Sequence, residues 1–255
     1  GGMYLYSSNP TLTNVNITNN TAVSSGGGMI LHNSDPILTH VRIENNVAGY
    51  GGGMYLNTSN PILTHVTISN NTVRDDAPLG SGGGMHLDTS NPTLTNMIIS
   101  NNTGADIGGG MYLYTSNPTL SNVTIFSNTA VGWGGGGMYV DASNPTLTNM
   151  TISNNTAPDR GGGMYSRYCN PILTNSIIWD NSSGNGESIY TYDSTPQVTY
   201  SDIEGGWEVE ADCSDGEVED CSGDGDCCLE SWIGDGYPDC EEQQYGCDLT
   251  CYDND

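Results

Sequence analysis

The chain has 255 residues, with four Arg, no Lys and thirty Asp plus Glu, for a formal net charge of −26. That balance argues against nucleic acid, whose phosphates need Lys and Arg to neutralise them, and against electrostatic docking on anionic lipid. Cations, calcium above all, are the complementary ligands, and no apolar run is long enough to span a bilayer.

Read from the first residue, the sequence is a repeat. A unit close to G-G-G-M-Y-L-x-x-S-N-P-T-L-T-N-V-T-I-S-N-N-T-A places Met at 3, 29, 54, 85, 111, 138 and 164, with Ile189 in the eighth copy. Each unit carries three short alternating runs, in the first copy Met3 to Tyr6, Thr11 to Thr13 and Val15 to Thr18. None has a 3.6-residue period, so strands rather than helices are predicted. Stacked in register, they give an all-β, right-handed single-stranded parallel β-helix with three sheets and about eight coils, roughly 40 Å long at the usual strand spacing. Met3, Leu5, Leu12, Val15 and Ile17 head columns that stay mostly apolar and are assigned to the interior. About five core side chains per coil cannot fold one coil alone, so stability has to come from stacking.

The turns are legible too. Asn-Pro or Asp-Pro precedes the second strand in seven coils, because Asn tolerates turn dihedrals and Pro fixes the next φ. Asn20, Asn46, Asn71, Asn102, Asn128, Asn155 and Asn181 share a column, whose amides can bond along the axis. Asn14, His40, His65, Asn96, Asn122, Asn149 and Asn175 share another. Stacked His40 and His65 could bridge an ion; replacement of Asn in a turn ladder is the simpler reading.

The order Ile-x-Asn-Asn-Thr-Ala, a short turn, then Gly-Gly-Gly-Met-Tyr resembles bacterial right-handed β-helix repeat proteins. It is similar in particular to the polymorphic outer-membrane protein repeats, with Ile for Phe and Met for Ala. The resemblance covers about residues 1–204. It implies a secreted passenger or adhesin-like surface protein, often without a catalytic site.

Four surface features are left over once packing and turns are accounted for. An outward aromatic column, Tyr4, Tyr55, Tyr112, Tyr139, Tyr165 and Tyr190, could stack on sugar rings or brace neighbouring strands. A Thr-x-Thr ladder through Thr95 and Thr148 resembles the ice-binding face of insect antifreeze proteins, although Thr is also simply a good strand residue. The coil at 73–81 is five residues longer than its neighbours and carries Asp75 and Asp76. Loops on repeat scaffolds often hold binding residues, although length variation in a surface turn costs little and is the simpler reading. Finally, Asp88 and Asp141 stand two coils apart in the Tyr6 column, and Arg160 and Arg167 flank a Gly triplet with no evident acidic partner. Without a Lys, and with acids so scattered, a polysaccharide lyase or hydrolase site is the weaker alternative to a binding scaffold, since fold alone confers no function.

Past residue 204 the text changes. Residues 1–203 carry a net −8 and residues 204–255 a net −18, and seven of the eight Cys fall in the second part. Two domains follow: 1–204, the β-helix, and 205–255, an acidic cysteine-rich tail. Cysteine at that density implies disulfides and an extracellular or bacterial cell-surface location. The tail resembles a truncated Notch-type cysteine-rich repeat, with Trp232, Asp235, Gly236, the Cys247-Asp248 pair, Cys251, Asp253 and Asp255 carrying the likeness. Pro238 stands where that family has Cys. The resemblance implies calcium, with Asp235, Asp248, Asp253 and Asp255 as ligands. A segment this small and poor in aliphatics independently needs disulfides or metal to hold it.

The expectation is therefore a secreted or cell-surface scaffold that binds an extracellular polysaccharide or a host or cell-surface partner, without catalysis and without membrane insertion in this stretch. The first residues, Gly1-Gly2-Met3, lie mid-repeat, which reads as a piece of a longer protein.

Overall fold

The computed structural model describes residues 1–77, 79–206, 217–219, 227–229 and 233. The chain divides into two compact units, Gly1–Gly205 and Gly206–Asp255.

The first unit is a parallel β-solenoid. Among the described residues three eight-stranded sheets run its length. Sheet 1 begins with Met3–Tyr6 and ends with Ile189–Tyr192, sheet 2 runs from Thr11–Thr13 to Gln197–Thr199, and sheet 3 from Asn16–Thr18 to Asp202–Ile203. Every coil adds one strand to each. The register is the one the repeat demands: Met3 pairs with Met29, Leu12 with Leu38 and Ile17 with Ile43.

Register puts like on like, and this fills the interior. Met29, Met54, Met85, Met111, Met138 and Met164 are completely buried, as are Leu38, Leu63, Leu94, Leu120, Leu147 and Leu173. The Ile43, Ile68, Ile99, Ile125, Ile152 and Ile178 column completes the third side. Burying each such side chain contributes about 1.5–3 kcal/mol, and neighbouring coils supply the contact surface.

The corners need left-handed backbone, and Asn is the residue that supplies it most often. Asn14, His40, His65, Asn96, Asn122, Asn149 and Asn175 all have φ between 51° and 56°. The histidines in this column are turn residues: their rings stack at 4.9 Å and 2°, and Asn149 and Asn175 bond to the Asn one coil before. The next corner holds the buried Asn ladder. Asn128 Nδ2 donates to Asn155 Oδ1 and to Ile99 O, while its Oδ1 accepts from Asn102 N–H and Nδ2, all at 3.0 Å. A buried Ser ladder runs beside the first corner, Ser34, Ser59, Ser90, Ser116 and Ser143, each backbone N–H except the last bonding to the next coil's Oγ.

A fourth sheet was not anticipated. Val47–Ala48, Thr72–Val73, Thr103–Gly104 and Thr129–Ala130 pair in parallel just after the Asn ladder. Their first N–H groups bond to the Asn carbonyls of the preceding coil at 2.9 Å, which keeps the chain extended for two residues before the variable turn.

In the second unit, Glu217–Glu219 pairs antiparallel with Cys227–Leu229, and Cys228 is buried and disulfide-bonded. Asp235, Asp248, Asp253 and Asp255 lie outside the described residues.

Candidate functional site

The turns that follow the fourth sheet stand up along one edge of sheet 1 and make a wall. Between this wall and the outward side chains of sheet 1 lies a groove of about 430 Å³. Its floor is His86, Asp88, Tyr112, Tyr114, Tyr139 and Arg167, and its wall is Tyr50, Leu79, Ser81, Asp106, Ile107 and Trp133.

Glycine lets the wall approach the floor. Gly135 has φ +67°, and a Cβ there would sit 2.4 Å from Met138 O and 2.8 Å from Tyr139 Cβ. With hydrogen instead, the turn closes directly onto Met138, which begins this coil's strand of sheet 1, and Tyr139 is left only 6% exposed.

The floor is a continuous column of rings. Tyr55, His86 and Tyr112 are spaced at 4.8 Å and 4.8 Å, Tyr112 and Tyr139 at 5.7 Å, and Tyr139 and Tyr165 lie parallel at 4.6 Å and 6°. Tyr190 follows at 4.9 Å. Burial raises the phenol pKa of Tyr112 and Tyr139 well above the ordinary value, with Asp141 adding to the effect and Arg167 opposing it. His86 stands where all the other coils but one, which has Ile30, carry Tyr; it is 8% exposed, and has its pKa pushed down to about 4 by desolvation. Its Nδ1 lies 3.0 Å from Ser81 Oγ, and Tyr50 meets its ring edge-on.

The aromatic column is therefore graded. Tyr4 is 61% exposed, Tyr55, Tyr112 and Tyr165 are half-buried, and Tyr139 is buried. Tyr112 and Tyr139 line the groove, whereas Tyr4 and Tyr55 border a separate hollow beside Gly1.

The next outward column is charged. Asp88, Tyr114, Asp141 and Arg167 are consecutive partners in sheet 1, so Tyr114 separates the two acids. Arg167 does have an acidic partner, contrary to the sequence reading: its Nε and Nη2 donate to Asp141 Oδ1 and Oδ2 at 3.0 and 2.5 Å. The 26-residue offset brings the two side by side. Arg160 has an acidic neighbour too, Asp159 Oδ2 at 3.8 Å from its Nε, and it donates to the Tyr190 hydroxyl and lies over its ring. Asp88 accepts from Asn57 and Thr89, and Asp106 Oδ2 accepts from Gly80 N–H at 2.9 Å.

The remaining sequence candidates lie elsewhere. Asp76 pairs with Arg74 in the exposed long turn, next to Asp75. Thr95 and Thr148 are half-buried on sheet 2, in an unbroken row of hydroxyls from Thr13 to Thr199, beside a row that Ile37, Ile62 and Ile172 interrupt. Among the described residues no cluster of three or more His, Cys, Asp and Glu could hold a metal.

Sequence reasoning missed Trp133, Tyr50, Tyr114, Asp106 and the Asp141–Arg167 pair. The pair was findable, since each member stands three residues after the repeat's Met. The wall residues were not, because they sit in the turns that the repeat leaves variable.

No curated protein matches the chain. Among solved structures, HetL, a pentapeptide repeat protein involved in heterocyst differentiation regulation from the cyanobacterium Nostoc sp. strain PCC 7120, is 13% identical, over 80% of this chain and 88% of that one, with a TM-score of 0.21. The sequence pattern of the right-handed β-helix region matches residues 1–125 and 99–224, which together cover all the coils; the chain belongs to the right-handed β-helix family.

Proposed function

We propose that the chain is a secreted or cell-surface, adhesin-like scaffold that holds an extracellular polysaccharide in the groove on sheet 1. The carrying observation is the groove itself, concave and walled by aromatic side chains with a few polar groups among them. Its volume lies within the ordinary range for ligand pockets. Tyr and Trp faces stack on the apolar faces of sugar rings, and carboxylates accept from sugar hydroxyls. Trp133, 67% exposed at the rim, is the principal platform.

Binding without turnover is supported by how the acids are employed. Asp141 is tied to Arg167, and Asp88 and Asp106 accept hydrogen bonds from the protein. The test is a glycan panel with the full chain. Saturable binding that Trp133→Ala weakens, with no release of reducing ends or unsaturated products, is the expected result.

The second reading is a polysaccharide lyase or hydrolase, a role the β-helix family also accommodates. It is favoured by Asp88 on the floor and Asp106 on the wall of one groove, because glycoside hydrolysis uses two carboxylates flanking the bond. Cleavage that is lost in Asp88→Asn or Asp106→Asn would establish it.

The tail is proposed as a calcium-stabilised module of the Notch-like kind, with Asp235, Asp248, Asp253 and Asp255 as ligands. The cysteine density of the tail and the Cys228 disulfide support a location outside the cytoplasm.

A further inference from the structure

We propose that the groove on sheet 1 selects a sugar chain bearing protonated amines, an amino-sugar oligomer, over neutral or uronic-acid chains. This rests on the reading of the groove as a polysaccharide site and names its substrate class.

The charges facing the groove set the preference. Arg167 is its one cation among the described residues, and Asp141 neutralises it beneath the floor. Asp88 and Asp106 also line the groove, and among the described residues neither is in an ion pair. The groove therefore presents two uncompensated negative charges from two opposing sides, within a chain of net charge −26. A uronate chain would bring carboxylates against these carboxylates in a partly desolvated site, where repulsion is strong.

The aromatic groups point the same way. Trp133 and Tyr114 are 67% and 45% exposed, and Trp133 makes no ring contact with any described residue. Indole and phenol faces attract an ammonium group through the ring quadrupole. They also stack on the pyranose ring that carries it. Aromatic faces beside unpaired carboxylates fit a ligand that is ring-shaped, extended and cationic. Neutral sugars use only the first of these features, and uronates are opposed by the second.

The experiment is titration calorimetry of the full chain, in dilute buffer at about pH 6, against six-unit oligomers of glucosamine, N-acetylglucosamine, glucose and galacturonate, with hexalysine as a charge-matched control. The glucosamine oligomer should bind about tenfold more tightly than its N-acetylated counterpart, and added salt should weaken it. Galacturonate should not bind. The double variant D88N/D106N should erase the preference while keeping weak neutral-sugar binding, and W133A should weaken every sugar. Equal binding of glucose and glucosamine oligomers overturns the amine inference and leaves the polysaccharide reading standing. Preference for galacturonate, or hexalysine binding as tight as the amino sugar, also overturns it. If no oligomer binds, the polysaccharide reading falls as well.

Discussion

Arg167 reaches one strand back along sheet 1 and holds Asp141 with two bonds, 3.0 Å from Nε and 2.5 Å from Nη2. The Asp141 side chain is 5% exposed, while that of Arg167 is 40% exposed. Removing the arginine leaves a carboxylate in a site that water barely reaches. Arg167→Gln should therefore destabilise the coils by about 2–3 kcal/mol, at or below the lower end of the range for breaking a buried pair, because the guanidinium is partly solvated. Adding Asp141→Asn should recover part of that loss, since the charge is then gone. Urea unfolding of the four proteins in the cycle measures it; additive losses would show that the pair does not couple.

The Asn ladder predicts a gradient along the solenoid. Asn128 accepts from both Asn102 donors and donates to Ile99 O and Asn155 Oδ1. Asn128→Ala leaves several buried groups without partners, each worth about 1–3 kcal/mol when orphaned. Partial relaxation lowers the total to about 2–4 kcal/mol. At the first coil, half-buried Asn20 donates to Asn46 Oδ1 and Thr18 O, and among the described residues nothing donates to its own side-chain oxygen. Asn20→Ala should cost less than about 1 kcal/mol. Equal losses at the two positions in chemical denaturation would contradict a ladder whose strength depends on neighbours at both sides.

How much of this was legible follows from what repeats. The Met, Leu and Ile columns and the Asn ladder could be read because each recurs in at least seven of the eight coils, and the register then forces them inward. His86 could also have been placed in the ring column, since it follows Met85 as Tyr112 follows Met111. The groove was less legible because its wall comes from the unrepeated turns. Tyr50 meets His86 from a different coil, and Trp133 has no counterpart to form a column. The two-residue strands such as Val47–Ala48 were hidden for a related reason. They are too short to alternate, and backbone bonds to Asn carbonyls define them rather than side chains.

Cys169 occupies the Ser column, between Ser143 and Ser194. It is 4% exposed, its thiol lies 3.6 Å from Val140 O and from Ser194 Oγ, and burial raises its pKa. A buried thiol of raised pKa is a poor nucleophile. In the native protein it should resist iodoacetamide, and in urea it should be alkylated, as peptide mass mapping would show. Sulfur is also a weaker acceptor than a hydroxyl oxygen, so Cys169→Ser should leave stability unchanged or raise it by up to about 1 kcal/mol. Rapid native alkylation, or a clear loss of stability in the Ser variant, would mean that the position has been chosen for the thiol.

His86 should make the solenoid sensitive to acid. Tyr50, Tyr55 and Tyr112 surround its ring, and Ser81 holds Nδ1. Burial lowers its pKa from 6.5 to about 4, against smaller opposing contributions from Asp88 and Ser81. A base with a depressed folded pKa is neutral in the native state while the unfolded chain takes up a proton. Its stabilising contribution is therefore complete above about pH 6.5, is lost as the pH falls, and is exhausted near pH 4. The gap between those two values sets a ceiling of about 3 kcal/mol. Because the acidic groups of the chain titrate over part of the same range, the informative quantity is the difference from His86→Gln, which does not titrate and keeps an acceptor for Ser81. Urea unfolding at pH 7, 5.5 and 4 should show wild type losing up to about 3 kcal/mol relative to the variant. An unchanging difference would mean that His86 is charged, or solvated, within the folded coil.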